Sequence, residues 1–376
     1  MIDNLRICHI SSMHEQIDDR IFQRCCLALV REGCEVSYIV QHENAETILG
    51  VKIVPLRIRS GWKRRIFSTF EAYRKAVKTD ADIYQFHDFD LLPWMYLLAK
   101  KKKVVYDIHE NILDRTLHLP FPKFATYLIK GVENFIVRKL AGIVPVSDSL
   151  SDIYKGNFRK SCVVHNVVNL ERMKAVDLSE VEKEDYPVIY TSGNLNNHHN
   201  CRETINAMPY ILKRKPDVIL RFAGSYGPPD DYREELEQLA KSLGVEKNVQ
   251  FQGMLPWLDN FKRTTRAHIG LVVMEDNPNA KIALSNRFFE FLYCKIPVIV
   301  EDIGEFHRLI LETNCAVLVD STKPEQLADA VIFLLDNPVK AAENAQRGYE
   351  LVMKKYNIES EIGGLMRFYR DIVSSN

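Results

Sequence analysis

The chain of 376 residues has no apolar run near the roughly 20 residues that a membrane-spanning helix requires, which excludes an integral helical membrane protein. Its first residues, Met1-Ile2-Asp3-Asn4-Leu5-Arg6, lead straight into a strand pattern rather than a leader, so the expected location is the cytoplasm. Cysteine is scattered: of the eight, only Cys25 and Cys26 are close and no Cys-x-x-Cys occurs, which argues against zinc and against a disulfide framework. No Gly-x-Gly-x-x-Gly follows the first strand pattern, so nothing there predicts a dinucleotide. Net charge is lacking too, with 50 Lys and Arg against 50 Asp and Glu, and no nucleic-acid partner is expected. The balance is uneven along the chain. Residues 1–160 hold 25 basic against 19 acidic side chains, an excess of +6, which leaves −6 for the remainder. A mildly basic first half can meet anionic lipid or an anionic acceptor.

What is present reads as two α/β halves. With 46% apolar and 27% charged residues the chain can bury a core rather than remain disordered, and its length suits two domains. Residues 5–10 form an apolar run ending in a polar loop. A helical pattern through Ile21, Phe22, Cys25, Leu29 and Val30 follows, stopped at Gly33, and then a strand over 35–40. This order opens a doubly wound parallel sheet. Residues 81–86 and 104–108 read as buried strands that deliver His87-Asp88-Phe89-Asp90 and His109-Glu110 at their carboxyl ends. Ligands of open α/β sheets bind beyond those ends, which selects these residues over isolated charges elsewhere. Residues 141–146 and 162–167 read as the last strands of this half. Residues 168–186 carry six acidic side chains, no glycine and no strand pattern, and the domain boundary is expected there. The second half restarts with a strand from Pro187 into the Gly193-Asn194 turn. Residues 218–224 and 249–253 are strand-to-glycine units around an amphipathic helix at 231–243, and a strand at 267–273 feeds the polar loop ending at Lys281.

Residues 284–300 read as a short helix opened by Ser285, a good N-cap, and a buried strand introduced by Pro297. Asn286, Glu290 and Tyr293 lie on one helical face, while Phe288, Phe291 and Leu292 can pack inward. A carboxylate one turn inside a helix is placed to grip a diol, while free N–H groups at the helix start hold phosphate. The plainer alternative is a core α/β unit with a solvated Glu290.

The string Asn286-Arg287-Phe288-Phe289-Glu290-Phe291 with the Pro297-Val298-Ile299 strand resembles the donor-binding segment of family 4 glycosyltransferases. Two further segments resemble the same family in the expected order. They are His14, Asp18 and Arg20-Ile21-Phe22, and His87-Asp88-Phe89-Asp90 followed by Tyr106-Asp107-Ile108-His109-Glu110. The resemblance covers nearly the whole chain. It implies a GT-B fold: two facing doubly wound Rossmann-like domains, 1–170 on the acceptor side and 187–357 for the donor, with a final helix at about 358–376 crossing back to the first.

On that resemblance Glu290 binds the donor ribose and His109 approaches the donor sugar near the reacting carbon. Asn286, Arg287, Ser285, Lys281, Gly193, Asn194, His199, Gly224, Met254 and Leu255 complete the donor side. His14, Asp18, Arg20, His87, Asp88 and Glu110 face the acceptor. Alternatively Asp18 caps the helix and Arg20 forms a surface ion pair. There are departures from the family pattern. A second Glu is replaced by Ile282, a turn glycine by Lys295, and a Lys-Gly or Arg-Gly pair by His199-Asn200, so His199, Arg202, Lys281 or Arg287 is left to meet the diphosphate. Asp88-Phe89-Asp90 also looks like the metal motif of a different glycosyltransferase architecture. Two doubly wound halves argue against that fold, and no metal or cofactor is expected.

The implied function is metal-independent, retaining transfer of a hexosyl-type group from a nucleoside diphosphate sugar to a glycan or lipid-linked acceptor, in surface polysaccharide or glycolipid assembly. A nucleotide-sugar epimerase and a non-catalytic nucleotide-sugar or glycan-binding partner are the alternatives. Residues 62–78 place Trp62, Ile66, Phe67, Phe70, Tyr73 and Val77 on one stripe amid Lys and Arg. Residues 121–140 repeat the mixture with Phe121, Phe124, Leu128, Val132 and Phe135. Such helices either cover their own sheet, which is the expectation for 62–78, or make peripheral contact at the inner face of the cell membrane.

Overall fold

Val104, Val105, Tyr106, Asp107 and Ile108 are all buried, as a strand must be when helices cover both faces of a parallel sheet. The same holds along β1 (Arg6–Ile10) after its half-buried first residue, and β1 pairs in parallel with β2 (Glu35–Gln41) on one side and β5 (Ile83–Phe86) on the other. With β3 (Glu46–Ile48), β4 (Val51–Leu56), β6 (Val104–Ile108) and β7 (Gly142–Pro145) they form a seven-stranded sheet, ordered β3-β4-β2-β1-β5-β6-β7. Only β3 runs antiparallel, at the edge, in a short hairpin with β4. Residues 162–167, expected as a strand, are not one. An isolated bridge at Ile143 and Ser161 and two N–H donations, from Cys162 to Ile143 and Val164 to Pro145, tie this extended segment to β7 without building a ladder.

The second sheet holds β8 (Val188–Asn194), β9 (Ile219–Ser225), β10 (Val249–Phe251), β11 (Ile269–Val272), β12 (Val298–Glu301) and β13 (Val317–Val319). Its order is β10-β9-β8-β11-β12-β13, and every pairing is parallel. In both sheets the order reverses beside the first strand of the unit, where a crevice opens at the carboxyl ends.

The structure, a computed structural model, describes residues 4–14, 16–113, 123–179, 181–227 and 231–375. It divides into two units, residues 1–169 with 358–376, and residues 170–357. The last helix, Ile358–Ser374, belongs to the first unit, where it buries Ile362, Leu365, Met366 and Tyr369 and lies beside the helical residues 21–31. Among the described residues no helix is long and apolar enough to cross a membrane.

The helical residues 61–78 pack differently from expectation. Their buried face is Ser68, Thr69, Ala72 and Ala76, whereas Trp62, Ile66, Phe67, Phe70 and Val77 are exposed. Small side chains let the helix lie close to the sheet, so the aromatic stripe turns outward. Helix Lys123–Val137 likewise exposes Phe124, Tyr127, Leu128, Val132 and Phe135. Phe121, expected on the same stripe, lies outside the described residues. Helix Leu92–Ala99 lies between these two, with Trp94 against Phe70 and Tyr96 against Phe135.

Candidate functional site

In the first unit the carboxyl ends of β1, β5 and β6 converge on one cavity of about 390 Å³, lined by His14, His87, Asp88, Tyr106, His109 and Glu110 among others. Asp88, buried just past β5, closes the loop after β1 onto this cavity. Its carboxylate accepts from Ser11 Oγ at 3.0 Å, Ser12 Oγ at 3.1 Å and the backbone N–H groups of Ser12 and Met13. His14 then stands on that loop, with Nδ1 2.8 Å from Asp18 and Nε2 3.6 Å from Asp88. Burial draws the His14 pKa down, but hydrogen bonding to Asp18 and the surrounding carboxylates outweigh it and leave it raised. Asp18 serves twice, because its second oxygen accepts from the N–H groups of Arg20 and Ile21 at 2.9 and 2.7 Å and so caps the helix.

Arg20 is not a surface ion pair, as the alternative reading had it. It is buried, and its guanidinium donates to Asp107 at 2.8 Å across 87 residues of sequence. Asp107 is fully buried and stands 2.9 Å from His87 Nδ1 and 3.4 Å from His109 Nε2. His87 Nε2 continues to His9 Nδ1 at 2.9 Å, and the two rings stack. Burial alone would raise the Asp107 pKa, but the Arg20 charge, then His109 and His87, hold it well below the carboxylate range. Burial lowers His87, and burial with the neighbouring His87 pushes His9 down to about 3.

Asp107 and His9 were missed by the sequence reading. The signal was available: an Asp amid Val-Val-Tyr-Asp-Ile and a His amid Ile-Cys-His-Ile are buried polar groups that need partners. His87, Asp107 and His109 present ligand atoms within 4.8 Å of one another. They do not fit a metal ion, because Arg20 already neutralises Asp107, and a dication there would meet that fixed positive charge.

In the second unit β8 and β9 pair in register through Gly193 and Gly224, one residue before both strands end. A Cβ on Gly224 would stand 1.7 Å from the Gly193 carbonyl oxygen, so the two turns approach by backbone alone. The Gly224 N–H donates to the Gly253 carbonyl at 2.7 Å, which brings the third strand end beside them. Arg287, buried at the start of helix Asn286–Tyr293, donates to the Ser192 carbonyl and lies 3.7 Å from where a Gly193 Cβ would be. Its Nε is buried without a partner among the described residues. Burial lowers its pKa to about 10, and burial followed by the Arg287 charge pushes His199 to about 3.

Glu290 is buried on the same helix, and one of its oxygens accepts from Asn286 Nδ2 at 3.0 Å and from the Trp257 indole N–H at 3.3 Å. Trp257, also missed by the sequence reading, is stacked on Phe261 with the Arg172 guanidinium 3.8 Å from its ring centroid. Ser285 stands at the N-cap position in an extended conformation, as expected, but its side chain makes no capping hydrogen bond. Its carbonyl accepts the Phe288 N–H. Lys281 pairs with Asp276 and Arg202 with Glu235, both at exposed positions; Asn194 is exposed, Met254 is largely exposed, and Leu255 is half-buried. Lys295 adopts φ +54°, so the turn still demands the left-handed conformation although no glycine fills it. Ile282 is buried, where the family pattern has a second Glu.

Two doubly wound sheets with polar groups gathered beyond their strand carboxyl ends define an α/β protein of GT-B architecture. Residues 20–172 match the profile described as Glycosyltransferase Family 4, and residues 174–351 match that of Glycosyl transferases group 1. The chain belongs to the family 4 glycosyltransferases. It is 23% identical over 263 residues to alpha-D-kanosaminyltransferase of Streptomyces kanamyceticus, covering 67% of this chain and 66% of that protein. It is 27% identical over 167 residues to the GDP-mannose-dependent alpha-(1-6)-phosphatidylinositol monomannoside mannosyltransferase of Mycolicibacterium smegmatis, covering 42% of this chain and 41% of the relative. These matches thus span less than two thirds of the relatives' own lengths. In fold, the chain superposes over its whole length on a glycosyltransferase from Rickettsia africae, with TM-score 0.77, 13% identity and 100% of both chains covered.

Proposed function

We propose that the chain transfers a glycosyl group from a nucleoside diphosphate sugar to an acceptor hydroxyl, with retention at the anomeric carbon and no requirement for a metal ion. The observation that carries this reading is the surroundings of Glu290 in the second unit. The buried carboxylate is pre-oriented by Asn286 and Trp257 to accept from a diol such as a ribose. On the same helix Arg287 keeps a buried N–H without a partner among the described residues, close to strand ends that only glycine can form. Those groups suit a diphosphate, whose departure they would stabilise without reorganising. Arg287 is the preferred cation for it. Lys281 and Arg202 are engaged in exposed ion pairs, and His199 is neutral at physiological pH.

In the first unit, His109 is assigned to the donor sugar and the cavity with His14, His87, Asp88 and Glu110 to the acceptor. Asp88 is occupied with holding its loop, which fits a mechanism without a metal at the Asp88-Phe89-Asp90 segment. No side chain is assigned as a nucleophile. The leaving phosphate takes the acceptor proton in a front-face attack, and Glu290 binds without reacting. The relatives' names, an aminosugar transferase and a GDP-mannose-dependent enzyme acting on a phosphatidylinositol mannoside, support a nucleotide-linked donor and a glycan or glycolipid acceptor.

The test is calorimetric titration with UDP, GDP, ADP and CMP and their sugars, with and without EDTA. Saturable binding of one nucleotide class, indifferent to EDTA and weakened about 100-fold (about 2.7 kcal/mol) or more in Glu290→Ala, is expected. Binding unchanged in Glu290→Ala would remove the assignment, and no binding across the panel would favour a non-catalytic role.

The outward stripe of Trp62, Ile66, Phe67 and Phe70, continued by Tyr96, Phe135, Leu128 and Phe124 and flanked by Arg64, Arg65, Arg74 and Lys100, suits contact with an anionic bilayer at the inner face of the cell membrane. Co-sedimentation with phosphatidylglycerol vesicles, lost in a Trp62→Ser, Phe124→Ser double variant of unchanged stability, is the expected result. Absence of the wild-type protein from the vesicle pellet would end this part of the reading.

A further inference from the structure

Asp107 collects hydrogen-bond donors from every side of its burial site. Arg20, from the helix that follows the first loop, can only donate, and it does so at 2.8 Å. The Gln85 amide on β5 is oriented by the last helix, because the Tyr369 hydroxyl donates to Gln85 Oε1, and this turns Nε2 toward Asp107 at 3.4 Å. His87 Nδ1, 2.9 Å from Asp107 Oδ2, must carry a proton, since a bare ring nitrogen would set its lone pair against a carboxylate. His87 Nε2 is then the acceptor for His9 Nδ1–H at 2.9 Å, which leaves His9 Nε2 bare. That atom is buried with no partner among the described residues, as this proton order requires. Burial keeps both rings neutral at physiological pH, so each has a single proton to place.

The same logic reaches His109. Its Nε2 stands 3.4 Å from Asp107 Oδ2, at ion-pair distance though not aligned for a hydrogen bond, is sealed from solvent and has no hydrogen-bond partner among the described residues, while the side chain as a whole remains 24% exposed. Any nitrogen that His109 offers to a ligand in the cavity is therefore Nδ1. We propose that Asp107 is a positioning residue that holds the His109 imidazole with its proton on Nε2, so that Nδ1 faces the ligand as a hydrogen-bond acceptor for a hydroxyl. Arg20 and His87 act one step further back, fixing the charge and orientation of Asp107. The sugar-binding consequence rests on the proposed assignment of His109 to the donor sugar. The proton order itself does not.

The experiment is two-bond ¹H–¹⁵N correlation of the imidazoles in the full-length wild-type protein at pH 8, with the His109 signals identified by their loss in His109→Gln. A protonated Nε2 and a bare Nδ1 are expected. The opposite tautomer, or a mixture of the two, overturns the proposal whether or not any donor is found. Asp107→Asn supplies the second readout. The His109 signature should shift toward a mixed tautomer, and turnover of the donor class identified by calorimetry should fall about 10- to 100-fold, with its Kd within about twofold. An unshifted signature or unchanged turnover in folded Asp107→Asn counts against the positioning role. If that variant does not fold, the wild-type spectrum decides.

Discussion

Beyond the strand ends of the first unit, imidazoles and carboxylates are buried against one another. His87, His109 and Arg20 surround Asp107, with His9 behind His87, while Asp88 and Asp18 secure the loop that carries His14. Beyond those of the second unit, the backbone itself is the surface. Gly193, Gly224 and Gly253 bring three strand ends together, with Arg287 and Glu290 as the buried charges beside them. The first arrangement holds polar side chains in fixed orientation, which suits selective contact with hydroxyl groups. The second clears space for close approach to main-chain atoms, which suits a diphosphate. The two halves share a topology, and their strand ends carry different chemistry.

Breaking the side-chain arrangement should have the largest effect. Arg20→Met leaves Asp107 buried without its cation, and a loss of about 3–5 kcal/mol is expected in urea denaturation, because the uncompensated charge stays desolvated. A loss under 1 kcal/mol would show that the imidazoles alone neutralise Asp107. Breaking the backbone arrangement comes next. Gly224→Ala forces a Cβ against the Gly193 carbonyl, so a loss of about 1–3 kcal/mol and weakened nucleotide binding should appear together. Full affinity in that variant would mean that the two turns do not form the binding surface.

Acid sharpens the contrast further. His9 is held down to about 3 in the folded protein, whereas an unfolded histidine titrates near 6.5. Below about pH 6.5 the unfolded chain takes up a proton that the folded one refuses, so stability falls as pH drops from about 6.5 toward about 3. At pH 5 this amounts to about 2 kcal/mol relative to pH 8. Hydrogen exchange of the β1 amides should reveal it, and the difference between the two pH values should shrink in His9→Gln. An equal difference in that variant would place the titration elsewhere.

Much of the architecture could be read from the chain. The apolar strands ending in polar or glycine turns and the Asn286-to-Ile299 segment pointed to a GT-B fold. The helical face bearing Asn286 and Glu290 was legible because its geometry is local: residues four apart meet on any helix. The outward turn of Trp62, Phe67 and Phe70 was not, because an amphipathic pattern does not state which face the sheet takes, and here the narrow Ala72 and Ala76 side fits it. Ser285 was legible as the N-cap position, but whether its side chain turns back onto the helix is not encoded locally, and here it makes no capping hydrogen bond.

The sequence by itself determined the periodicities, the glycine turns, the family and the carboxylate on its short helix, since each depends on neighbours within a few residues. Only the tertiary structure decided that Arg20 meets Asp107, that His9 meets His87 across 78 residues, and that Trp257 steadies Glu290 across 33. Those contacts depend on which strands lie side by side. Strand order is set by the burial of both sheet faces as a whole, and no local pattern in the chain encodes it.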